Sequence, residues 1–248
     1  MLMPILQVRS EDMPEYSIVC GDPKRAEKIA GKLEGAKELA FSREFRTFTG
    51  SFQGVHMAVV SHGVGSPGAA VCFEEMIRAG VKTIIRVGTA GSYSSEHPSG
   101  SLIVSTAAVR AEGLTQQLVP AGFPAVGDSE VVHALYDAAR ESEGIVGKGI
   151  TVTLDVFFSG VEEVPHRKYK QAGVLAVEME IAALYVVASL RGARAGAIVA
   201  IDGFADADLA AEYNPNTDIV ARAVEREIDA ALRAIVKLAS APSSSGRK

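Results

Sequence analysis

Short apolar runs rich in β-branched residues alternate with amphipathic helical patterns along most of this 248-residue chain. In the first such unit, "YSIVCG" predicts a strand, and "PKRAEKIAGKLE" predicts a helix with a proline in its first turn. Ala26, Ile29 and Leu33 recur at helical spacing in this second segment. Units of this kind specify an α/β fold, because a helix that connects two parallel strands has to cross over the face of their sheet.

The same alternation continues through the rest of the chain. Strands are predicted at "VHMAVVSH", "VKTIIRVG", "SLIVSTAAVR", "GKGITVTL", "GVLAVEM" and "AGAIVAIDG", and helices at "GAAVCFEEMIRAG", "DSEVVHALYDAARESEG", "EIAALYVVASLRG" and residues 217–238. The strands are near-continuous Val/Ile/Ala runs, which are typical of strands buried on both faces. We therefore predict a mixed, mostly parallel central sheet flanked by helices on both faces. It forms a single domain over residues 1–240, followed by a disordered tail at 241–248.

Charge and composition exclude several classes of partner. Lys and Arg number 25 against 30 Asp and Glu, and no basic run occurs, so we expect no nucleic-acid partner. No segment approaches the roughly 20 apolar residues of a membrane span, and the N-terminus lacks the pattern of a signal peptide. The two cysteines, Cys20 and Cys72, lie in apolar segments, which indicates a reducing, cytoplasmic location. The five histidines show no metal-binding spacing, and we expect no metal.

Polar residues gather where the predicted strands end, which is where ligands bind in open α/β sheets. "CGDPKRA" places Gly21 and Arg25 between a strand and a helix. Free N–H groups and a guanidinium suit an anion, although a surface loop with a solvated arginine explains this segment equally well.

The segment "HGVGSPGAA" matches G-x-G-x-x-G at Gly63, Gly65 and Gly68, a pattern found in dinucleotide-binding sites. Such a site needs an acidic residue at the end of the next strand, to hold the ribose. That strand instead ends in "IIRVGTAG", which offers Arg86 and no carboxylate. We therefore favour glycines that permit a tight turn and close helix packing.

Arg86 lies within an apolar strand, where an unpaired charge is costly, so it requires an anionic partner. Thr89 follows it with a hydroxyl, and together with Arg25 these groups predict a phosphate-sized pocket, since a guanidinium donates two parallel hydrogen bonds. The alternative is a structural salt bridge from Arg86 to an acid such as Glu180.

The segment "AVEMEIAALY" places Glu178 and Glu180 at a junction between strand and helix, with Met179 able to reach the pocket there. A carboxylate repels bound phosphate, so these acids are predicted to bind sugar hydroxyl groups beside it. One of them can instead cap the helix or pair with an arginine, and this alternative is stronger for Glu178.

Asp202 ends the apolar strand "AIVAID". An acid in such surroundings can hold a proton near neutral pH, as a general acid must. The alternative is an aspartate that forms a turn before Gly203.

Seven segments in order, "CGDPKRAEKIA", "FSREFRTFTG", "SHGVGSPGAAVCFEEM", "IIRVGTAGS", "FPAVGD", "AVEMEIAALY" and "IDG", together resemble the hexameric nucleoside phosphorylases, the purine nucleoside and uridine phosphorylase family. The resemblance runs from about Ile5 to Leu238. It implies that inorganic phosphate attacks the anomeric carbon of a nucleoside and releases free base and pentose 1-phosphate. It also implies that no metal or organic cofactor takes part in the chemistry.

The resemblance assigns roles to individual positions. The implied phosphate-binding residues are Gly21, Arg25, Arg86 and Thr89, with Arg43 reaching in from a neighbouring subunit of a homohexamer built as a trimer of dimers. The implied nucleoside-binding residues are Phe157, Val177, Glu178, Met179, Glu180 and Asp202. Among these residues Glu180 holds the ribose hydroxyls, Asp202 assists the leaving base, and both are catalytic together with Arg86.

The substrate is expected to be a purine nucleoside, because Asp202 matches the purine-specific acid of the family. Uridine is the main alternative, although the loop "SGVEEVPHRKYKQAG" lacks a matching Gln-x-Arg arrangement. The N-terminus lacks the family's histidine for the 5′-hydroxyl, so Gln7 is a substitute and a methylthio nucleoside stays an alternative. Two other classes are less consistent with the sequence. A nucleosidase on the same fold uses water and needs no arginines for phosphate, and a catalytically silent nucleotide-binding module would be expected to lack Glu180 or Asp202.

Overall fold

The computed structural model describes residues 1–206 and 214–241. The strands are β1 Tyr16–Cys20, β2 Glu34–Ser42, β3 Phe45–Phe52, β4 Val55–Ser61, β5 Thr83–Ser92, β6 Leu102–Arg110, β7 Ala125–Val126, β8 Val146–Thr153, β9 Ala176–Glu178 and β10 Arg194–Phe204. The α-helices are α1 Pro23–Ala30, α2 Ser66–Arg78, α3 Gly113–Leu118, α4 Ser129–Arg140, α5 His166–Gln171, α6 Ile181–Arg191 and α7 Asp218–Ser240. The predicted α/β fold class is confirmed.

The strands form one mixed sheet in the order β10-β6-β8-β9-β5-β1-β4-β3-β2. Strand β5 also pairs with β10, so β5, β10, β6, β8 and β9 close into a ring, from which β1, β4, β3 and β2 extend. Strands β4, β1, β5 and β10 run parallel, as do β6, β8 and β9. Antiparallel pairs occur in the β2–β3–β4 meander, at the β10–β6 and β5–β9 closures and between β6 and β7.

Helices cover the sheet in two layers, each with its own apolar core. Helices α1, α4 and α7 pack on one face, and α2 and α6 pack on the other. Helix α6 is buried from Ile181 to Ala188, which explains why this part of its sequence is apolar on every side. Because β1, β4, β5 and β10 are parallel, their carboxyl ends share one edge of the sheet, and the polar strand-end residues are brought to this edge.

Local sequence signals account for several element boundaries. Asp128 caps α4, with its carboxylate accepting hydrogen bonds from the amides of Glu130 and Val131. Helix α1 ends at Ala30, earlier than predicted, because Gly31 ends the helix and the chain enters β2 three residues later. Leu33 is buried, but it lies outside the helix to which its spacing assigned it.

The predicted tail at 241–248 falls outside the described residues apart from Ala241, so its disorder stays a prediction. None of the helices in the described ranges combines the length and the apolarity needed to cross a membrane. The predicted domain limits also stay predictions.

Candidate active site

A cavity of about 810 Å³ opens at the shared edge where β1, β4, β5 and β10 end. All but one of the phosphate-binding and nucleoside-binding residues predicted from the sequence line it. These are Gly21, Arg25, Arg86, Thr89, Phe157, Val177, Glu178, Met179, Glu180 and Asp202. The exception is Arg43, although its neighbour Glu44 is a lining residue.

One corner of the cavity is formed by the turn from β1 into α1. Asp22 caps the helix by accepting a hydrogen bond from the amide of Lys24 at 2.9 Å. Gly21 packs so closely that an added Cβ would lie 3.1 Å from the carbonyl oxygen of Gly63. The Arg25 side chain is 20% exposed, and its Nη1 lies 3.8 Å from a carboxylate oxygen of Glu227 behind it. A helix N-terminus and a guanidinium therefore face the same corner.

Arg86 is engaged by side chains of its own chain. It is 4% exposed, and it donates from Nε and Nη2 to Glu178 at 3.3 and 3.2 Å and from Nη2 to Glu180. Its Nη1 lies 3.0 Å from Nε2 of His62, whose Nδ1 is 2.9 Å from the Gly63 carbonyl oxygen. The structural salt bridge that the sequence left open is thus formed in this structure.

The histidine beside Arg86 acts as an acceptor. Burial, assisted by the Arg86 charge, holds the pKa of His62 well below its usual range. The neutral ring donates from Nδ1 to the Gly63 carbonyl and accepts from Arg86 at Nε2. Gly88 permits this arrangement, because a Cβ there would lie 2.9 Å from the Arg86 Nη1.

Glu178 lines the cavity and is held by several donors of its own chain. Its side chain is 1% exposed, and its oxygens accept from Arg86, from the Thr153 hydroxyl at 2.6 Å and from the amides of Glu180 and Ile181 at 2.7 to 3.0 Å. These donors occupy both oxygens, so the carboxylate caps α6 and orients Arg86. Direct nucleoside binding by Glu178 stays a prediction, and the contacts present in this structure give the residue a positioning role.

Glu180 lies at the start of α6 and is tied to the glycine-rich loop. Its Oε1 accepts from the amide of Gly65 at 2.6 Å, and its Oε2 accepts from Arg86. The backbone carbonyl of the adjacent Met179 accepts from the Ser66 hydroxyl at 2.9 Å. The loop between β4 and α2 therefore positions the Met179–Glu180 junction.

The glycines of this loop serve backbone geometry. Gly63 and Gly65 have φ values of 76° and 95°, which disfavour other residues. An added Cβ at Gly63 would also lie 2.7 Å from the Cγ of Glu44. These features agree with the tight turn and close packing that the sequence favoured.

A β-bulge places Asp202 in the cavity. On β10, Ile201 pairs with Ala90 and Gly203 pairs with Gly91, so Asp202 is the extra residue between two regular pairs. A bulge of this kind redirects a side chain that strict alternation would place elsewhere. Asp202 is 7% exposed and is one of the residues that line the cavity.

The opposite end of the cavity is apolar. The rings of Phe157 and Phe158 meet edge to face with their centroids 5.0 Å apart, and both residues line the cavity and are exposed. Val177 pairs with Gly91 across the β5–β9 closure, which brings β9 to this wall.

Three residues that the sequence analysis did not select also belong to the site. His166 lines the apolar end, with Nδ1 2.7 Å from the Tyr93 hydroxyl, and burial lowers its pKa. Glu44 lines the opening, and Glu227 lies behind Arg25. Glu227 carried a detectable signal, because it interrupts the apolar stripe that Val220 and Ile228 continue on α7.

Arg43, which is predicted to reach a neighbouring subunit, and Gln7, the predicted substitute at the 5′ position, lie away from the cavity in the single chain. Arg43 is exposed at the turn between β2 and β3 and has a positive φ of 55°. Gln7 is exposed as well, and its side-chain amide donates to the carbonyl of Pro4. Neither residue is among those that line the cavity.

Comparisons with known proteins agree with this geometry. The phosphorylase superfamily model matches residues 15–237. A uridine phosphorylase of Thermococcus kodakarensis is 40% identical over 203 residues, covering 77% of this chain and 73% of the relative. A purine nucleoside phosphorylase of Plasmodium falciparum is 35% identical over 242 residues, covering 96% and 98%.

Solved structures show the same likeness. The structure of purine nucleoside phosphorylase from Toxoplasma gondii in complex with immucillin-H superposes with a TM-score of 0.91 at 32% identity, covering 96% of both chains. A uridine phosphorylase from Vibrio fischeri gives a TM-score of 0.88 at 26% identity, covering 95% of this chain and 97% of that one. The chain therefore belongs to the nucleoside phosphorylase family, whose members use inorganic phosphate as a co-substrate and need no cofactor.

Proposed function

We propose that this protein cleaves purine nucleosides such as inosine and guanosine with inorganic phosphate, releasing the free base and pentose 1-phosphate. The observation that carries the proposal is the composition of the cavity at the carboxyl ends of the parallel strands. It combines a cationic corner at Arg25, a carboxylate at Glu180, a second acid at Asp202 and an apolar wall at Phe157. Phosphate, ribose and base each require one of these environments.

In this proposal phosphate binds at the corner formed by Gly21, Arg25 and Thr89. Arg86 also binds the phosphate. Its Nη2 group, which donates a hydrogen bond to Glu180 in this structure, turns to donate to the phosphate instead. The exchange frees Oε2 of Glu180 to accept hydrogen bonds from the ribose hydroxyls. Phosphate and ribose binding are thereby coupled through one guanidinium, which favours assembly of the complete reacting pair.

The chemistry follows from this placement. A phosphate oxygen forms a bond to the anomeric carbon while the bond to the base nitrogen breaks and its electron pair moves onto the base. The sugar becomes cationic in the transition state, and the adjacent phosphate dianion stabilises it. Asp202 donates a proton or a hydrogen bond to the purine ring, which makes the base a better leaving group.

Uridine is the second candidate substrate, because relatives named uridine phosphorylase and relatives named purine nucleoside phosphorylase both cover most of this chain. The purine proposal is supported by Asp202, whose side chain the bulge of β10 directs to the cavity. The exposed position of Gln7 favours no particular group at the 5′ position.

One panel of assays tests the proposal. Inosine, guanosine, adenosine, uridine and methylthioadenosine are each incubated with the protein, with and without phosphate, and base release is measured. We expect purine release that depends on phosphate. Equal release without phosphate indicates a hydrolase, and exclusive cleavage of uridine assigns the alternative substrate.

We also propose that the active assembly is a cytoplasmic homohexamer of three dimers. In each dimer Arg43 enters the partner's phosphate corner. Its exposed position at a hairpin turn, outside its own cavity, supports this role.

A further inference from the structure

Behind the cationic corner lies a carboxylate to which the proposed reaction assigns no role. Glu227 of α7 is completely buried, and its Oε2 accepts from the amide of Gly88 at 3.3 Å. Among residues 1–206 and 214–241, none donates a hydrogen bond of good geometry to its Oε1. The nearest cation to that oxygen is Arg25, whose Nη1 is 3.8 Å away. A buried carboxylate oxygen without a donor needs an explanation, since desolvation of a charge is costly.

Several groups face this carboxylate from the elements packed around it. Arg25 approaches from α1, Arg86 and the Gly88 amide from β5, and the backbone of Ala200 from β10. The thiol of Cys20 approaches from β1, but burial raises its pKa to about 12, so it stays neutral. Burial raises the pKa of Glu227 to about 8, against the opposing effect of Arg25. The carboxyl group is therefore mostly protonated at neutral pH.

We propose that Glu227 is a positioning residue that competes with the bound oxyanion for Arg25, so that binding of the oxyanion is accompanied by uptake of a proton at Glu227. This inference rests on the proposed phosphate site at Arg25. When the carboxyl group is neutral, the Arg25 charge is available to the oxyanion. When it is ionised, it pairs with Arg25 and repels a dianion across a few ångströms of low-dielectric interior.

The direction of the pH effect follows from linkage. Below about pH 8 the free protein already holds the proton, and oxyanion affinity does not depend on Glu227. Above that pH the proton has to be taken up on binding, so the affinity falls by up to about tenfold for each pH unit. If Glu227 had only a packing role, replacing it would not change the pH dependence of oxyanion affinity.

Sulfate is a suitable probe, because its charge stays at −2 over this pH range, whereas the charge of phosphate changes with pH. Its dissociation constant is measured by calorimetry on the full-length protein at pH 6.5, 7.5, 8.5 and 9.5. The variants are Glu227→Gln, which mimics the neutral form, and Glu227→Met, which removes both oxygens. Glu225→Gln is the matched control, because Glu225 lies on the same helix and pairs with Lys28 and Lys32.

For the wild type and for Glu225→Gln, we expect sulfate affinity to fall at least tenfold between pH 7.5 and 9.5. For both Glu227 variants we expect a flatter profile. Proton uptake, obtained by repeating the titration in buffers of different ionisation enthalpy, should disappear with Glu227. A wild-type profile as flat as that of the variants overturns the inference, and so does a Glu227→Gln profile as steep as the wild type. If a variant does not fold, the pH dependence of sulfate affinity in the wild type still tests the inference.

Kinetics separate this inference from the proposed function. At pH 9 we expect Glu227→Gln to lower KM for phosphate severalfold relative to the wild type, with kcat changed little. Phosphate-independent cleavage refutes the proposed function while sulfate binding still reports on Glu227. If the wild type binds neither sulfate nor phosphate, both proposals are wrong.

Discussion

At the scale of single residues, the position of Asp202 depends on one irregularity of the backbone. The bulge between Ile201 and Gly203 places its carboxyl group in the cavity, where the proposed function uses it to assist the leaving base. Asp202→Asn preserves the shape of the side chain but removes the acid. We expect kcat for inosine to fall by about 10²- to 10⁴-fold, with a much smaller change in KM.

Steady-state kinetics at saturating phosphate check this prediction. Asp218→Asn provides the control, because it makes the same change at an exposed position in the first turn of α7. Unchanged turnover in Asp202→Asn removes this residue from the mechanism.

Glu227 also makes a prediction about stability. The ordinary pKa of a glutamate is 4.5, and burial raises that of Glu227 to about 8. Between these values the native protein holds a proton that the unfolded chain has released, so stability falls as the pH rises from 4.5 to 8 and is level above. Glu227→Gln has no carboxyl group to titrate and does not lose this stability. The difference in unfolding free energy between the variant and the wild type should therefore increase in favour of the variant by up to about 5 kcal/mol as the pH rises over that range.

Urea unfolding at pH 5, 6.5, 8 and 9 measures the difference. Glu225→Gln is the control. The hydrogen bond to Lys28 lowers the pKa of Glu225, so this carboxylate does not titrate between pH 5 and 9. The difference in unfolding free energy between this variant and the wild type should therefore stay constant over that range. Parallel curves for the wild type and Glu227→Gln contradict the prediction.

Sequence patterns located most of the site residues but not their partners. Strand ends and residue types selected Arg25, Arg86, Glu180 and Asp202, because ligands meet parallel strands at their carboxyl ends. The salt bridge that holds Arg86 joins β5 to residues more than ninety positions later, so only the folded chain can decide it. Glu227 was overlooked because an acid within a long helix is usually a solvated one.

At the scale of elements, the start of α6 depends on one hydroxyl group from the end of β8. The Thr153 hydroxyl donates to Glu178 at 2.6 Å and accepts from the amide of Ala182 at 2.9 Å, and it is fully buried. Thr153→Val keeps the shape but leaves both partners with a hydrogen bond missing. We expect a loss of about 1–3 kcal/mol in the free energy of unfolding.

Thr47→Val is the matched control, since Thr47 on β3 is equally buried and no hydrogen-bond partner for its hydroxyl lies in the described part of the chain. Its replacement should be neutral or stabilising. Equal losses of stability in the two variants, measured by urea unfolding, contradict the role assigned to Thr153.

The strength of each local pattern explains which elements the sequence predicted. Buried strands such as β1, β5 and β10 were predicted because they form apolar runs. Strand β2 was not predicted, because it is exposed along most of its length and carries no alternation of buried and exposed residues. The pairing of the short β9 with β5 and β8, which closes the ring of strands, could not be predicted from the sequence either, since pairing between distant strands leaves no local signal.

At the scale of the whole molecule, the hairpin of β2 and β3 extends the sheet away from the closed ring and carries Arg43 at its turn. A side chain outside its own cavity can complete only another subunit's site, which is the arrangement proposed for the dimer. Arg43→Ala should therefore raise KM for phosphate without changing the assembly. Arg46→Ala, on the same hairpin, removes ion pairs to Glu27 and Glu38 and should lower stability instead.

Complementation between inactive subunits tests site sharing directly. Arg43→Ala and Asp202→Asn chains are co-expressed with different tags, and oligomers that contain both are purified. In a mixed dimer, the Arg43→Ala subunit keeps its own Asp202 and receives Arg43 from its partner, so one of the two sites is complete and the other lacks both groups. Because such sites are related by twofold symmetry, mixed dimers should recover about half of the wild-type activity although each parent is impaired. Activity no higher than the mean of the two parents, or a fully active monomer in light scattering, shows instead that each chain completes its own site.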